Sequence, residues 1–96
     1  MTNQIKAIAT VRAAGGKFLH EVALSNGATS TRRSTKVYTH AVIAKEQYED
    51  ETGWGVWSYH GTRKTAESQA NALAKGSIKW ENDPMDVQIV EIEELK

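Results

Sequence analysis

The stretch Trp54–Gly76, WGVWSYHGTRKTAESQANALAKG, decides the fold class because its residue period changes half-way along. Trp54, Val56 and Ser58 alternate with Trp57 and Tyr59, and a two-residue repeat of aromatic and β-branched side chains predicts a strand. Further on the repeat lengthens. Ala66, Ala70, Leu73 and Ala74 fall at i, i+4, i+7 and i+8, on one face of a helix. Thr65 is the expected N-cap, its hydroxyl accepting from a first-turn N–H, with Glu67 placed where the helix dipole favours an acid. Lys75 suits the negative end, and Gly76 supplies the left-handed residue that stops the helix. Three of the four inward residues are alanine, so the helix can lie close against a flat partner. A sheet is the natural one.

Outward from this stretch, strands dominate. IKAIATVR (5–12) sets Ile5, Ala7, Ala9 and Val11 on one side, and KFLHEVAL (17–24) does the same with Phe18, His20, Val22 and Leu24. Ala13-Ala14-Gly15-Gly16 between them predicts a hairpin whose glycines take positive φ. The alanines leave a competing reading open, a helix from Thr2 to Ala14 ended by Gly15. Asn26-Gly27 signals a turn. It opens NGATSTRRSTK (26–36), which has no apolar residue larger than alanine and so nothing to bury; a mobile surface loop is expected.

KVYTHAVIA (36–44) alternates Val37, Thr39, Ala41 and Ile43 with Tyr38, His40, Val42 and Ala44, a strand. Across the charged connector KEQYEDETG (45–53) it pairs antiparallel with the Trp54 strand. SIKWENDPM (77–85) reads as irregular. DVQIVEIEEL (86–95) closes the chain as a strand that is apolar on both faces near its middle, which points to an interior place in the sheet. Its acidic tail is expected to fray. The order β-β-β-β-α-β describes a single α+β domain over residues 1–96: a mainly antiparallel five-stranded sheet with one helix packed on one face.

Composition narrows the function classes. Hydrophobic residues make up 40% and charged residues 25%, ordinary for a globular chain, and no run approaches the roughly 20 apolar residues of a membrane span. MTNQIKAIAT lacks the basic-then-apolar layout of a secretory signal, so no membrane partner and a cytoplasmic site are expected. The absence of cysteine removes disulfides and thiol chemistry. The zero net charge hides a split: residues 1–40 carry six Lys/Arg against Glu21 alone, whereas residues 41–96 carry six against eleven acids. Separate basic and acidic patches follow if the fold keeps the halves apart.

Catalytic, metal and cofactor readings find no complete set of residues. His20, His40 and His60 have no H-x-H or H-x-x-x-H spacing, no serine sits in a G-x-S-x-G elbow, and no glycine-rich phosphate loop occurs. Tyr59-His60 beside Arg63 and Lys64 could meet a phosphate at the helix start. The expectation is therefore a non-enzymatic protein with no cofactor, no catalytic residues and no metal.

Two binding surfaces remain. One helix covers only part of a five-stranded sheet, leaving Tyr48, Trp54, Trp57 and Tyr59 as candidate contacts beside the acids Glu46, Glu49, Asp50 and Glu51, a surface suited to a protein or ribonucleoprotein effector. Alternatively, Arg32, Arg33 and Lys36 on the basic loop 31–38 run into Tyr38, the charge and ring that a nucleic-acid module uses. A self-associating homodimer through the uncovered sheet is a third reading.

The residues Trp54, Val56, Thr65, Ala66, Ala70, Leu73 and Ala74, followed by DVQIVEIEE (86–94), resemble a pattern of small phage and bacterial proteins, in which a W-x-V strand leads through a threonine cap to an alanine-spaced helix and a final strand. In size, neutral charge and β-rich order the chain also resembles phage-encoded anti-defence proteins, anti-CRISPRs among them. That resemblance implies an inhibitor that binds one host effector stoichiometrically and blocks its nucleic-acid or nuclease surface. No motif defines the class, so it assigns no residue.

Overall fold

A computed structural model describes residues 5–46, 50–76 and 84–95. The chain is α+β, and the described residues form two sheets and one α-helix. Strands β1 (Ala7–Ala14), β2 (Lys17–Leu24) and β3 (Thr29–Ser34) form a meander. Strands β4 (His40–Glu46) and β5 (Gly55–His60) follow, then helix α1 (Arg63–Lys75), β6 (Met85–Glu91) and the two-residue β7 (Glu93–Glu94). The single five-stranded sheet expected from the sequence is replaced by a four-stranded sheet, β3-β2-β1-β7, and a three-stranded sheet, β5-β4-β6.

The first hairpin forms as read, and the competing helix over residues 2–14 does not: Ala7 pairs with Leu24 and Ala14 with Lys17. Gly15 and Gly16 turn the chain with φ of 63° and 83°, both in the region other residues enter at a cost. The Asn26-Gly27 turn also forms. Asn26 Oδ1 accepts the Ala28 N–H at 2.9 Å, while its Nδ2 donates to the Trp54 carbonyl at 3.1 Å, fixing the turn to the other sheet.

The loop expected over 26–36 is largely strand. Thr29–Ser34 pairs antiparallel with β2 from Ala23 to Phe18. Burial was the wrong criterion there: an edge strand is held by its backbone ladder and by β-favouring Thr29 and Thr31, and its charges blunt the edge.

The inner faces of the two sheets enclose one core, containing Ile5, Ala9, Val11, Val22 and Leu24 from one side and Ala41, Ile43, Trp54 and Val90 from the other. Val42 and Ala44, which point oppositely, meet Ala66, Ala70 and Leu73 of α1 in a second core. The molecule is thus three layers deep, sheet on sheet on helix, and β4 is apolar on both faces because it is the central strand of the middle layer. The last strand's two-sided pattern has the same origin. It is an edge strand, not an interior one, sealed above and below by core and helix rather than flanked left and right by strands.

Beyond β6 the chain changes sheets. The Ile92 N–H donates to the Thr39 carbonyl at 2.8 Å, and Glu93 and Glu94 then run parallel to Thr10 and Val11. The tail expected to fray is held in the ladder at least as far as Leu95, whose N–H donates to the Val11 carbonyl at 2.8 Å. At the other end of the same edge, just before β1, the Gln88 side chain donates to the Ile5 carbonyl and accepts its N–H, both at 2.9 Å.

The helix cap lies three residues earlier than expected. Thr62, at φ −139° and ψ 156°, accepts the Thr65 N–H on its hydroxyl at 3.2 Å, a cap worth about 1 kcal/mol. Thr65 is inside the first turn, its own hydroxyl donating to the Thr62 carbonyl. Glu67 lies beyond the first turn and pairs with Arg63 at 2.9 Å. Gly76 ends the helix at φ 71°, as read. Ala66, Ala70 and Leu73 face the sheet; Ala74 does not, and is exposed.

Candidate binding surfaces

The Trp54 strand does not keep the simple alternation read from its residues. Opposite β4, Ser58 aligns with Val42 and Val56 with Ile43, so Trp57 is an extra residue, a β-bulge. A bulge reverses which face every later side chain meets. Tyr59 therefore joins Trp54 and Val56 in the inter-sheet core, while Ser58 and His60 turn toward the helix side.

This splits the expected aromatic surface. Trp54 is 3% exposed and buried in the inter-sheet core, so the expectation that it meets a partner is wrong. The Tyr59 ring is half-buried, and its hydroxyl donates to Ser30 Oγ at 2.8 Å across the sheets. Trp57 alone of the three stays open, at 39% exposure. It lines a shallow depression of about 360 Å³ with Ala44, Glu46, Gly53, Gly55, Val56 and Met85.

The acids reach this end in part. Glu46 is exposed at the end of β4, and Glu51 opens the 3-10 turn Glu51–Gly53. Asp50 caps that turn, its Oδ1 accepting the Thr52 N–H at 3.0 Å and the Thr52 hydroxyl, bonds that hold its carboxyl below the usual carboxylate range. Tyr48 and Glu49 lie outside the described residues. A residue missed by sequence reading is Lys45, 6% exposed and paired with Asp86 at 3.2 Å directly across β6. Its place on a strand otherwise apolar on that face was the available signal.

At the opposite end of the sandwich the fold builds a ring cluster around His20, which is fully buried. The Tyr38 N–H donates to His20 Nε2 at 2.9 Å, so the ring proton is on Nδ1 and donates to the Arg32 carbonyl at 3.1 Å. Tyr38 lies 5.1 Å from the His20 ring and 6.1 Å from Tyr59, with the Arg32 guanidinium 5.3 Å over its own ring. Hydrogen bonds with Ser34 and Arg32, and the charges of Arg32 and Lys36, hold the Tyr38 hydroxyl below the ordinary phenol value. Arg33 projects to the outer face, since neighbours on a strand alternate. The expected group Arg32, Arg33, Lys36 and Tyr38 thus shares one corner but not one face, and Arg32 and Arg33 sit on a strand rather than a flexible loop.

His40 and His60 are directly paired across β4 and β5, with Glu91 opposite His40 on β6. Thr39 Oγ1 donates its only proton to the Gly61 carbonyl at 3.1 Å, so its 2.8 Å contact with His40 has Nδ1 as the donor. Ser58 Oγ meets His60 Nε2 at 2.7 Å. Burial, and then the neighbouring His40, push the His60 imidazole below the ordinary histidine value. A hydroxyl on an imidazole is half of a nucleophile–base arrangement. Among the described hydrogen bonds none joins a carboxylate to the His60 ring, the group that would orient such a base. Among the described residues no three His, Asp or Glu side chains are grouped to hold a metal, and no helix is long and apolar enough to cross a membrane.

Comparison with protein-family models, with curated proteins and with solved structures finds no match to this chain.

Proposed function

We propose that the protein acts by stoichiometric association with a macromolecular partner, a protein or ribonucleoprotein, and that Trp57 anchors the contact. The observation behind this reading is the bulge. It takes the largest side chain of β5 out of the strand's alternation and leaves it 39% exposed, beside a depression rimmed by Glu46 and Met85. Bulges re-aim side chains in this way next to functional sites, and tryptophan is among the residues that dominate binding energy when a partner covers it. Glu46 and Asp50, both exposed at this end, suit a basic surface, including one that normally holds nucleic acid. The resemblance to phage-encoded anti-defence proteins makes a host defence effector the partner class, with inhibition by occlusion.

The test is affinity capture from host lysate with wild-type protein and Trp57→Ser in parallel. The reading expects one partner that is recovered at a fixed ratio with the wild type and lost with the variant, while the variant remains folded and loses no more than about 1 kcal/mol in chemical denaturation. A partner retained equally by Trp57→Ser would refute it.

A further inference from the structure

The positive charge of residues 1–40 is scattered in sequence and gathered in space. In the four-stranded sheet the end of β1, the start of β2 and the end of β3 lie side by side, with Ala14 against Lys17 and Phe18 against Ser34. Five of the six cations in this part of the chain, Arg12, Lys17, Arg32, Arg33 and Lys36, therefore sit at one corner; only Lys6 is elsewhere. On the outer face Arg33, Leu19 and Arg12 form one row across three strands, with Arg33 and Arg12 roughly 10 Å apart at the usual strand spacing. On the other side of β3, Arg32 lies over the Tyr38 ring and Lys36 adjoins Ser34, whose hydroxyl accepts the Lys36 N–H at 3.0 Å.

We propose that this corner binds the phosphates of a single-stranded nucleic acid, which wraps the exposed edge of β3 from Arg33 on one face to Arg32 and Lys36 on the other. Charges on an edge strand also prevent edge-to-edge pairing, and that role accounts for Arg33 and Lys36. It does not account for Arg32, whose guanidinium is held back over a ring by a tyrosine that His20 fixes in turn. The acids do not cancel the corner. Glu21 is engaged by Arg12 at 3.6 Å, and Glu93 and Glu94 line the far edge, beyond β1.

The chemistry selects a flexible strand. Cations on two faces of one edge cannot all reach a rigid duplex, whereas a single strand bends around it. Tyr38 is not the stacking platform that its type suggests, because His20 and Arg32 both lie against its ring. The outer plane of the Arg32 guanidinium is left to stack on a base, as arginine does in single-strand recognition.

Fluorescence polarisation with labelled oligo(dT) and oligo(rU) tests this. If Lys17, Arg32, Arg33 and Lys36 each neutralise a phosphate, log K falls against log salt with a slope near −3, roughly 50-fold weaker binding at 200 mM than at 50 mM. Arg33→Gln and Lys36→Gln, which remove charge without touching the core, should each reduce that slope by about 0.7. The Trp57→Ser variant should bind these probes as the wild type does, which separates this site from the Trp57 surface. No binding at low salt, an unchanged slope in the Arg33→Gln/Lys36→Gln double variant, or equal affinity for duplex would each overturn the proposal. So would displacement by inorganic phosphate beyond that by chloride at matched ionic strength, which would assign the corner to a free anion.

Discussion

Replacing His20 by leucine tests how the sandwich is held at its basic end. The imidazole is fully buried and bridges two backbone groups of different segments, donating to the Arg32 carbonyl of β3 at 3.1 Å and accepting the Tyr38 N–H at 2.9 Å. Leucine fills much the same volume, so the cavity contribution is small and the loss is that of two orphaned backbone groups. Each costs about 1–3 kcal/mol, and with both only partly buried the sum is about 2–4 kcal/mol. A chain of this length is stable by about 5–14 kcal/mol, so the change removes a large fraction. Urea unfolding followed by tryptophan fluorescence should show the midpoint lowered by about 1 M or more with an unchanged slope. His20→Gln, which can both donate and accept, should recover part of the loss. Amide exchange at Tyr38 should accelerate in the leucine variant more than exchange at Val42. A loss under about 1 kcal/mol would mean that the bridge is not what fastens residues 37–39 to the sheet.

The two described tryptophans should behave oppositely: Trp54→Ala costs about 3–5 kcal/mol in chemical denaturation, and Trp57→Ala about 1 or less. Asp86→Asn removes the ion pair with the buried Lys45 ammonium and should cost about 1–3 kcal/mol, less than a fully enclosed pair because Asp86 is 35% exposed; Lys45→Met should cost less than Asp86→Asn by the same assay. His60 is held below the ordinary histidine value, so the unfolded chain takes up its proton first as pH falls. Its contribution to stability is complete above about pH 6.5 and declines as pH drops from there toward the folded-state value. Stability measured against pH should show this decline in the wild type and a flatter profile in His60→Asn.

Much of the local structure was legible because local patterns report burial and backbone preference. Gly15-Gly16 and Asn26-Gly27 fix turns by their tolerance of positive φ, and Gly76 ends the helix for the same reason. The sandwich-facing sets Ile5, Ala9, Val11 and His20, Val22, Leu24 are buried as their two-residue period requires. The candidate surfaces were only half legible. Trp57 and Arg32 were identified, but Tyr59 was placed on the face of Trp57 by an alternation that one extra residue breaks, and Trp54 was counted as open because a second covering sheet was not foreseen. Bulges leave no fixed mark in composition, since they are set by what the neighbouring strand demands.

By itself, then, the sequence determined the α+β class, the turns, the helix face and the two-sided burial of the last strand. Only the tertiary structure decided that this burial comes from a second sheet and a helix stacked above and below, rather than from strands on either side. A period of two records that a face is covered and is silent on what covers it. The same silence hid the basic corner: charges up to 24 positions apart in sequence become neighbours only when antiparallel register brings strand ends together.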